Sequence, residues 1–415
     1  GLPSAAESLF HQASSSLKAE HKYRNGTVTP VVAFRMMRMM QFGRKLDTPL
    51  ERETCEAVNQ RFFQGASFYR TDGEVRPVAV KLRDSNPFAD GDTAKVIKFW
   101  NGERWVGRGK GISVRMDGID TPESNVSGNG KLRGQVKWIM RYLDDEHSIS
   151  SGDRGALRDL VQSRIVYLGK LSGAVTNAFG EHFADIGIRL APAYTLRAKH
   201  PNECDTLDPW DKYGRLIGRI LAGGENQGED LLAGFLETQL PSAMRAAETE
   251  YRSSYEGILR KHRRVLGRWK SEKPELYSIF GLEDTPKPSE IYSETNCGRM
   301  AGMWADFCAA NPQAKNDLQT FMAFIGAAPP YPKYKGHLTE LDMSAELYSL
   351  GGVPEVSSGH GLTSDPMFRY VRPIIHDNYP SPVFARYGTQ ITNIGGDLAN
   401  LNPPDCRDGS CAVPE

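Results

Sequence analysis

Between residues 76 and 119 the chain alternates apolar and polar positions with a period of two, the spacing of half-buried strands. Residues 77–82 form one such run, and a second, 94–100, follows the turn Asp90-Gly91-Asp92-Thr93. Asn101-Gly102 is a strong hairpin signal, and 103–109 and 111–119 complete a meander. Strand character returns at 186–195 and 215–222. Helical spacing marks 133–147, 152–184 as one or two helices, 230–240, a long helix at 241–273, then 300–310 and 316–325. Upstream, 14–20, the Met-rich 30–46 and the capped 49–63 read as helices. Residues 350–415, rich in Gly, Pro and Asn, read as an extended tail. Short strands joined by tight turns favour a small barrel. The fold class is therefore α+β, a small barrel with packed helices between largely helical extensions.

At 415 residues the chain is too long for one ordinary core. The organisation expected is a helical extension over 1–75, a barrel domain over 76–271 with insertions near 148–186 and 196–210, and a helical region with a tail over 272–415. Hydrophobic content of 39% and charged content of 25% are those of a globular protein, and no apolar run approaches a membrane span. Lys and Arg number 51, as do Asp and Glu. A polyanion therefore gains nothing from the whole chain, and any attraction must be local. The clearest local excess lies in 251–273, with eight Lys or Arg against Glu256 and Glu272. It includes Arg260, Arg263 and Arg264, candidate contacts to a nucleic-acid backbone. Cations at a helix C-terminus are favourable in any case. The cysteines Cys55, Cys204, Cys297, Cys308, Cys406 and Cys411 form no CxxC pair, so zinc-ligand spacing is absent. Cys55 and Cys308 read as buried free thiols, and Cys406 and Cys411 are close enough for a small loop disulfide.

Candidate chemistry concentrates in Val114-Arg115-Met116-Asp117-Gly118-Ile119-Asp120-Thr121-Pro122-Glu123. Pro122 ends the strand because it has no N–H for the ladder. Asp120, Thr121 and Glu123 then sit where the chain leaves the sheet, five to eight residues after an arginine. An Asp-rich turn after a strand is common. Here it is preceded by the acid turn at 90–93 and followed by Asp211-Lys212-Tyr213-Gly214-Arg215. His376-Asp377-Asn378 has no second His at ligand spacing and reads as a loop. Asn25-Gly26-Thr27 and Asn125-Val126-Ser127 match a glycosylation pattern.

In this order the three motifs resemble the staphylococcal nuclease (thermonuclease) family, over roughly residues 76–271. The resemblance implies a five-stranded OB-type barrel and a Ca2+-dependent endonuclease. Its substrate is DNA and/or RNA, cut with little sequence specificity to leave 3′-phosphate and 5′-hydroxyl ends. It implies Asp92, Asp120 and the Thr121 carbonyl as metal ligands, and Arg115 and Arg215 as phosphate-gripping forks, with Arg215 also assisting the leaving oxygen. Glu123 is the general base, unless hydroxide held by the metal takes that part. Lys212 and Tyr213 match positions that touch the terminal phosphate. The family carries two tyrosines after its second helix; the matching stretch 239–248 has none, leaving Tyr251 and Tyr255 as nearby substitutes. Members are mostly exported, an expectation with which an absent initiator Met is compatible. No protein partner is assignable. The rival reading is a non-catalytic nucleic-acid or protein-interaction module on the same barrel, since some relatives keep the barrel and lose these residues.

Overall fold

The computed structural model describes residues 59–60, 63–70, 75–107, 111–125, 130–192, 215–225, 228–283, 285–328 and 361–368. The expectations for 1–58, the insertion at 196–210, Lys212, Tyr213, Cys55, Cys204, Cys406, Cys411, the 376–378 loop and most of the tail fall outside these residues.

The alternation in the sequence becomes strands β1 (Val78–Leu82), β2 (Phe88–Asp90), β3 (Thr93–Trp100), β4 (Trp105–Val106) and β5 (Ile112–Met116). Strands β6 (Ile188–Pro192) and β7 (Leu216–Ala222) follow later. β1 pairs with β6, β6 with β7, β7 with β5, β5 with β3, and β3 again with β1. Five strands thus close into a barrel that is compatible with an OB-like α+β fold. The β5–β7 pair is parallel, with Val114 opposite Leu216; the other four pairs of the ring are antiparallel. Parallel neighbours need a long crossover, and here two helices and β6 supply it. Ala94, Val96, Val114, Leu190 and Ile220 are all fully buried and fill the barrel. Of the strand expected at 103–109, the described residues 103–107 place only Trp105 and Val106 in β4; 103 and 104 belong to the turn, which the Asn101 backbone N–H closes by donating to the Arg104 carbonyl at 3.2 Å.

The crossover helices are α1 (Gly130–His147) and α2 (Arg154–Phe183). α2 has 30 residues, so it is about 45 Å long. It is buried on several sides, since it packs against β2, α1 and α4 at once. Phe179 meets Phe88 of β2 at 6.4 Å, and Tyr167 stacks on Tyr255 of α4 at 5.4 Å. After the barrel come α3 (Leu231–Thr238), α4 (Leu240–Lys261), α5 (Arg263–Glu272), α6 (Pro274–Phe280), α7 (Pro288–Ile291), α8 (Glu294–Ala310) and α9 (Leu318–Phe324). Asp230 caps α3, Ser293 caps α8 and Asp317 caps α9, each accepting from the first backbone N–H groups of its helix. The long helix expected over 241–273 is two, broken at His262, where ψ is 17°.

The segment before α9 completes the barrel wall. The Asn316 carbonyl accepts from Ala222 N–H, and the Gln319 side chain bonds both Ile220 N–H and the Gly218 carbonyl. Buried Asp317 pairs with Arg219 of β7. One apolar core runs from the barrel through these helices to Leu362, Met367 and Phe368.

Candidate active site

Three strand ends meet at one end of the barrel. The turn from β2 to β3 brings Asp90, Gly91 and Asp92; the exit from β5 brings Asp117 to Glu123; the entry to β7 brings Arg215. Met116 N–H donates to the Asp92 carbonyl at 2.8 Å, and Asp117 N–H donates to the Gly218 carbonyl at 3.0 Å, which fastens the three ends together. Gly118 turns the chain at φ +80°, a conformation that other residues adopt at a cost.

Arg115 lies between the two acids expected to hold metal. Its guanidinium forms an ion pair with Asp92, and its Nη2 is 2.5 Å from Asp120 Oδ1 and 3.3 Å from the Ile119 carbonyl. Thr121 N–H donates to Asp92 Oδ2 at 2.9 Å and to Asp120 Oδ1 at 3.2 Å, and the Thr121 hydroxyl lies 3.2 Å from Asp92 Oδ2. One guanidinium and one amide therefore hold both carboxylates. Arg215 Nη1 donates to the Thr93 hydroxyl at 3.2 Å, and that hydroxyl is 3.1 Å from Asp92 Oδ1. Asp92, Arg115, Asp120, Thr121 and Glu123 are all buried.

The electrostatics follow from crowding. Burial works against the Arg115 charge, but the carboxylates of Asp120 and Asp92 hold its pKa well above the usual value. Asp90 is pushed up to about 7, first by burial and then by the charge of Asp92, with Glu123 adding to the effect and Arg115 opposing it. Its Oδ1 is buried with no hydrogen-bond partner among the described residues. Asp90 is the residue of this group that the motif reading passed over. The signal was present in the same acid turn, but nothing local says that the carboxylate two residues before Asp92 turns inward too.

α2 supports the group from behind. A Cβ on Gly169 would lie 2.5 Å from the Pro122 carbonyl oxygen and 2.9 Å from the Glu123 carbonyl carbon. One on Gly91 would lie 2.8 Å from the Thr121 methyl and 3.2 Å from the Ser172 backbone. Both glycines are thus required by close approach, and α2 is pressed onto the turns that carry Asp92 and Glu123.

Arg260, Arg263 and Arg264 are exposed and lie elsewhere. Their neighbours Lys261 and His262 meet Asp159 at 2.6 and 3.0 Å, ten residues before Gly169 on α2 and so about 15 Å along the helix. Tyr255 is no substitute for the missing tyrosines. It is buried against Tyr167, and its hydroxyl donates to the Phe280 carbonyl at 2.8 Å. Tyr251 is partly buried, with Lys170 5.5 Å from its ring centre.

Among the described residues no three His, Cys, Asp or Glu side chains converge as they stand on a point that could hold a metal ion. Arg115 spans the two central carboxylates instead. The donor set nevertheless suits a hard cation: two aspartates within reach of one another, a threonine beside them, and a third carboxylate with a buried, unpartnered oxygen. No family model, curated protein or solved structure matches the chain.

Proposed function

We propose that the protein is a Ca2+-dependent phosphodiesterase that cuts DNA and/or RNA with little sequence preference. The observation that carries this reading is the meeting of Asp92, Arg115, Asp120, Thr121, Glu123 and Arg215 at one barrel end, from three segments far apart in sequence. Asp92, Asp120 and the Thr121 carbonyl would hold Ca2+, which supplies a positive charge to a phosphoryl oxygen. Arg115 and Arg215 are forks that grip the phosphate from two strands, as a lysine cannot. Glu123 takes a proton from the attacking water as its oxygen bonds to phosphorus. The bond from phosphorus to the 5′ oxygen breaks, Arg215 donates a hydrogen bond to that oxygen as it leaves, and the oxygen takes its proton from solvent water, to which Glu123 returns the proton it accepted. The products are a 3′-phosphate and a 5′-hydroxyl. An exported protein is the setting that goes with this activity.

The rival is a module that binds and does not cut. Its support is the burial of Arg115 between Asp92 and Asp120, where that guanidinium faces two carboxylates and not a phosphate. Digestion of plasmid DNA and of RNA decides between them, with Ca2+, Mg2+ or chelator and with end-group analysis of the fragments. The enzyme reading expects cleavage with Ca2+, less with Mg2+ because of its stricter octahedral geometry, and none in chelator. Full activity in chelator would sink the metal assignment, and an inert parent would leave the binding module.

A further inference from the structure

The β3–β4 hairpin presents two tryptophans to solvent. Trp100 and Trp105 are each 38% exposed, whereas Trp269 and Trp304 are 1% and 0% exposed. The pair face each other across the hairpin, with ring centres 5.6 Å apart and planes at 64°. The turn holds them in place: Asn101 Oδ1 accepts from the N–H groups of Glu103 and Arg104 at 3.0 and 2.9 Å.

Cations surround the pair. Lys81 of β1 lies directly opposite Lys98 of β3, and both side chains are exposed. Like charges set opposite each other on neighbouring strands are unfavourable. Lys81 Nζ sits 5.0 Å from the Trp105 ring centre. Arg104 is exposed at the tip, beside Glu103. A tryptophan pair alone would account for stapling a short hairpin. It does not account for two facing lysines that form no ion pair among the described residues.

The same face of β3 leads from exposed Lys98 and Trp100 through half-buried Lys95 to Thr93, which is buried at the candidate active site. Ala94, Val96 and Phe99 point into the barrel, so Thr93, Lys95 and, past the register shift, Lys98 and Trp100 share the outer face. Arg115 and Ser113 lie opposite Thr93 and Lys95 on that same face. Lys95 Nζ donates to Ser113 Oγ at 2.7 Å and is close enough to feel Arg215 and Asp90. From Thr93 to Trp100 the strand spans roughly 23 Å, at about 3.3 Å per residue.

We propose that the outer face of β3 and the β3–β4 hairpin form a binding track for single-stranded nucleic acid, with bases stacked on Trp100 and Trp105 and phosphates along Lys81, Lys98 and Arg104. The inference deepens the phosphodiesterase reading, since it names the form of substrate and the route by which it reaches that site. Splayed bases offer the ring faces that exposed indoles stack on, and a duplex does not. The polyanion also relieves the Lys81–Lys98 repulsion.

The test is binding of a labelled thymidine oligonucleotide to the full-length protein in chelator, by fluorescence anisotropy across a range of salt, beside a duplex of equal length. The variants are Trp100→Ala with Trp105→Ala, and Lys81→Glu with Lys98→Glu. All four side chains are on the surface, and unchanged thermal unfolding checks the fold. Should the tryptophan variant be destabilised, the lysine variant tests the track alone. Each double variant is expected to bind the single strand roughly tenfold or more weakly, in line with stacking losses. The lysine variant should also show a shallower salt slope. With Ca2+, cleavage of a long single strand by these variants should fall more than cleavage of a dinucleotide, which is too short to reach the hairpin. Parent-like binding by the variants, equal affinity for the duplex, or no binding by the parent would each overturn the track. If the parent binds through these residues and never cleaves, the phosphodiesterase reading fails while the track stands. If the parent cleaves and the variants bind as it does, only the track fails.

Discussion

Arg115 and Arg164 are both buried, and both are paired with aspartate, yet their surroundings differ. Arg164 lies in the middle of the helical layer on α2, fully buried, and pairs with Asp365 of the segment 361–368. Its guanidinium is 5.7 and 5.1 Å from the ring centres of Tyr167 and Tyr255. Its Nε and Nη1 have no hydrogen-bond partner among the described residues, and the adjoining cavity of about 20 Å3 has room for a water. One cation meets one anion there, and the pair ties 361–368 onto the helices. At the barrel end, Arg115 meets Asp92 and Asp120 together, with Asp90 and Glu123 close by. A matched buried pair holds segments in place. Where several carboxylates crowd one another, each raises the cost of ionising the next, and an added cation is expected to bind.

The largest effect that would break or sharpen this contrast is catalytic. Arg215→Lys keeps a positive charge at the crowded end and removes the fork. Turnover should fall by roughly two orders of magnitude or more, the usual loss for one preorganised donor, while substrate binding changes far less. Steady-state rates beside oligonucleotide affinity check this, and a parent-like rate would move the chemistry away from the barrel end.

Next comes Asp365→Ala in the helical layer. It leaves the Arg164 charge buried and unpaired, so stability to denaturant should drop by about 3–5 kcal/mol. Replacing both partners with apolar residues, Arg164→Met and Asp365→Leu, should restore much of it. A loss under 1 kcal/mol, on the scale of an exposed pair, would mean that the two regions do not differ as described.

Gly169→Ala tests the contact between α2 and the crowded turns. Its Cβ would overlap the backbone of Pro122 and Glu123, so something must shift. Overpacking of this kind costs about 1–3 kcal/mol. Because the shift falls on the turn that carries Glu123, the rate should fall too; a stability loss with an unchanged rate would separate the helix from the site.

The smallest effect has the opposite sign. Burial and the charge of Asp92 push Asp90 up to about 7, so ionising it above its ordinary pKa costs stability; Asp90→Asn removes that cost, and in Ca2+-free buffer at pH 7 or above stability should rise, on the order of 1 kcal/mol. The added stability conferred by Ca2+ should shrink. A destabilised variant would show that the barrel-end acids are balanced after all.

Strand periodicity, the turn at Asn101-Gly102, the acid turn and the Arg115-to-Glu123 stretch were all legible in the chain, because each depends on residues close together. Alternation decides which side of a strand is apolar, and Pro122 ends a strand wherever it stands. The expected set Asp92, Arg115, Asp120, Thr121 and Glu123 therefore came together, since each sits at or beside a strand end and the barrel brings strand ends together. Local pattern also read 152–184 as helix, but not that α2 lies against Pro122 and Glu123, because a glycine at 169 is as unremarkable in sequence as any other. Nor could it show Asp90 turning inward, Tyr255 buried under Tyr167, or His262 splitting the long helix. The pairs Arg164–Asp365 and Arg219–Asp317 join residues 201 and 98 apart. No periodicity spans such distances. Only packing of the helices onto the closed barrel decides which charges share a buried space, and burial is what makes those charges matter.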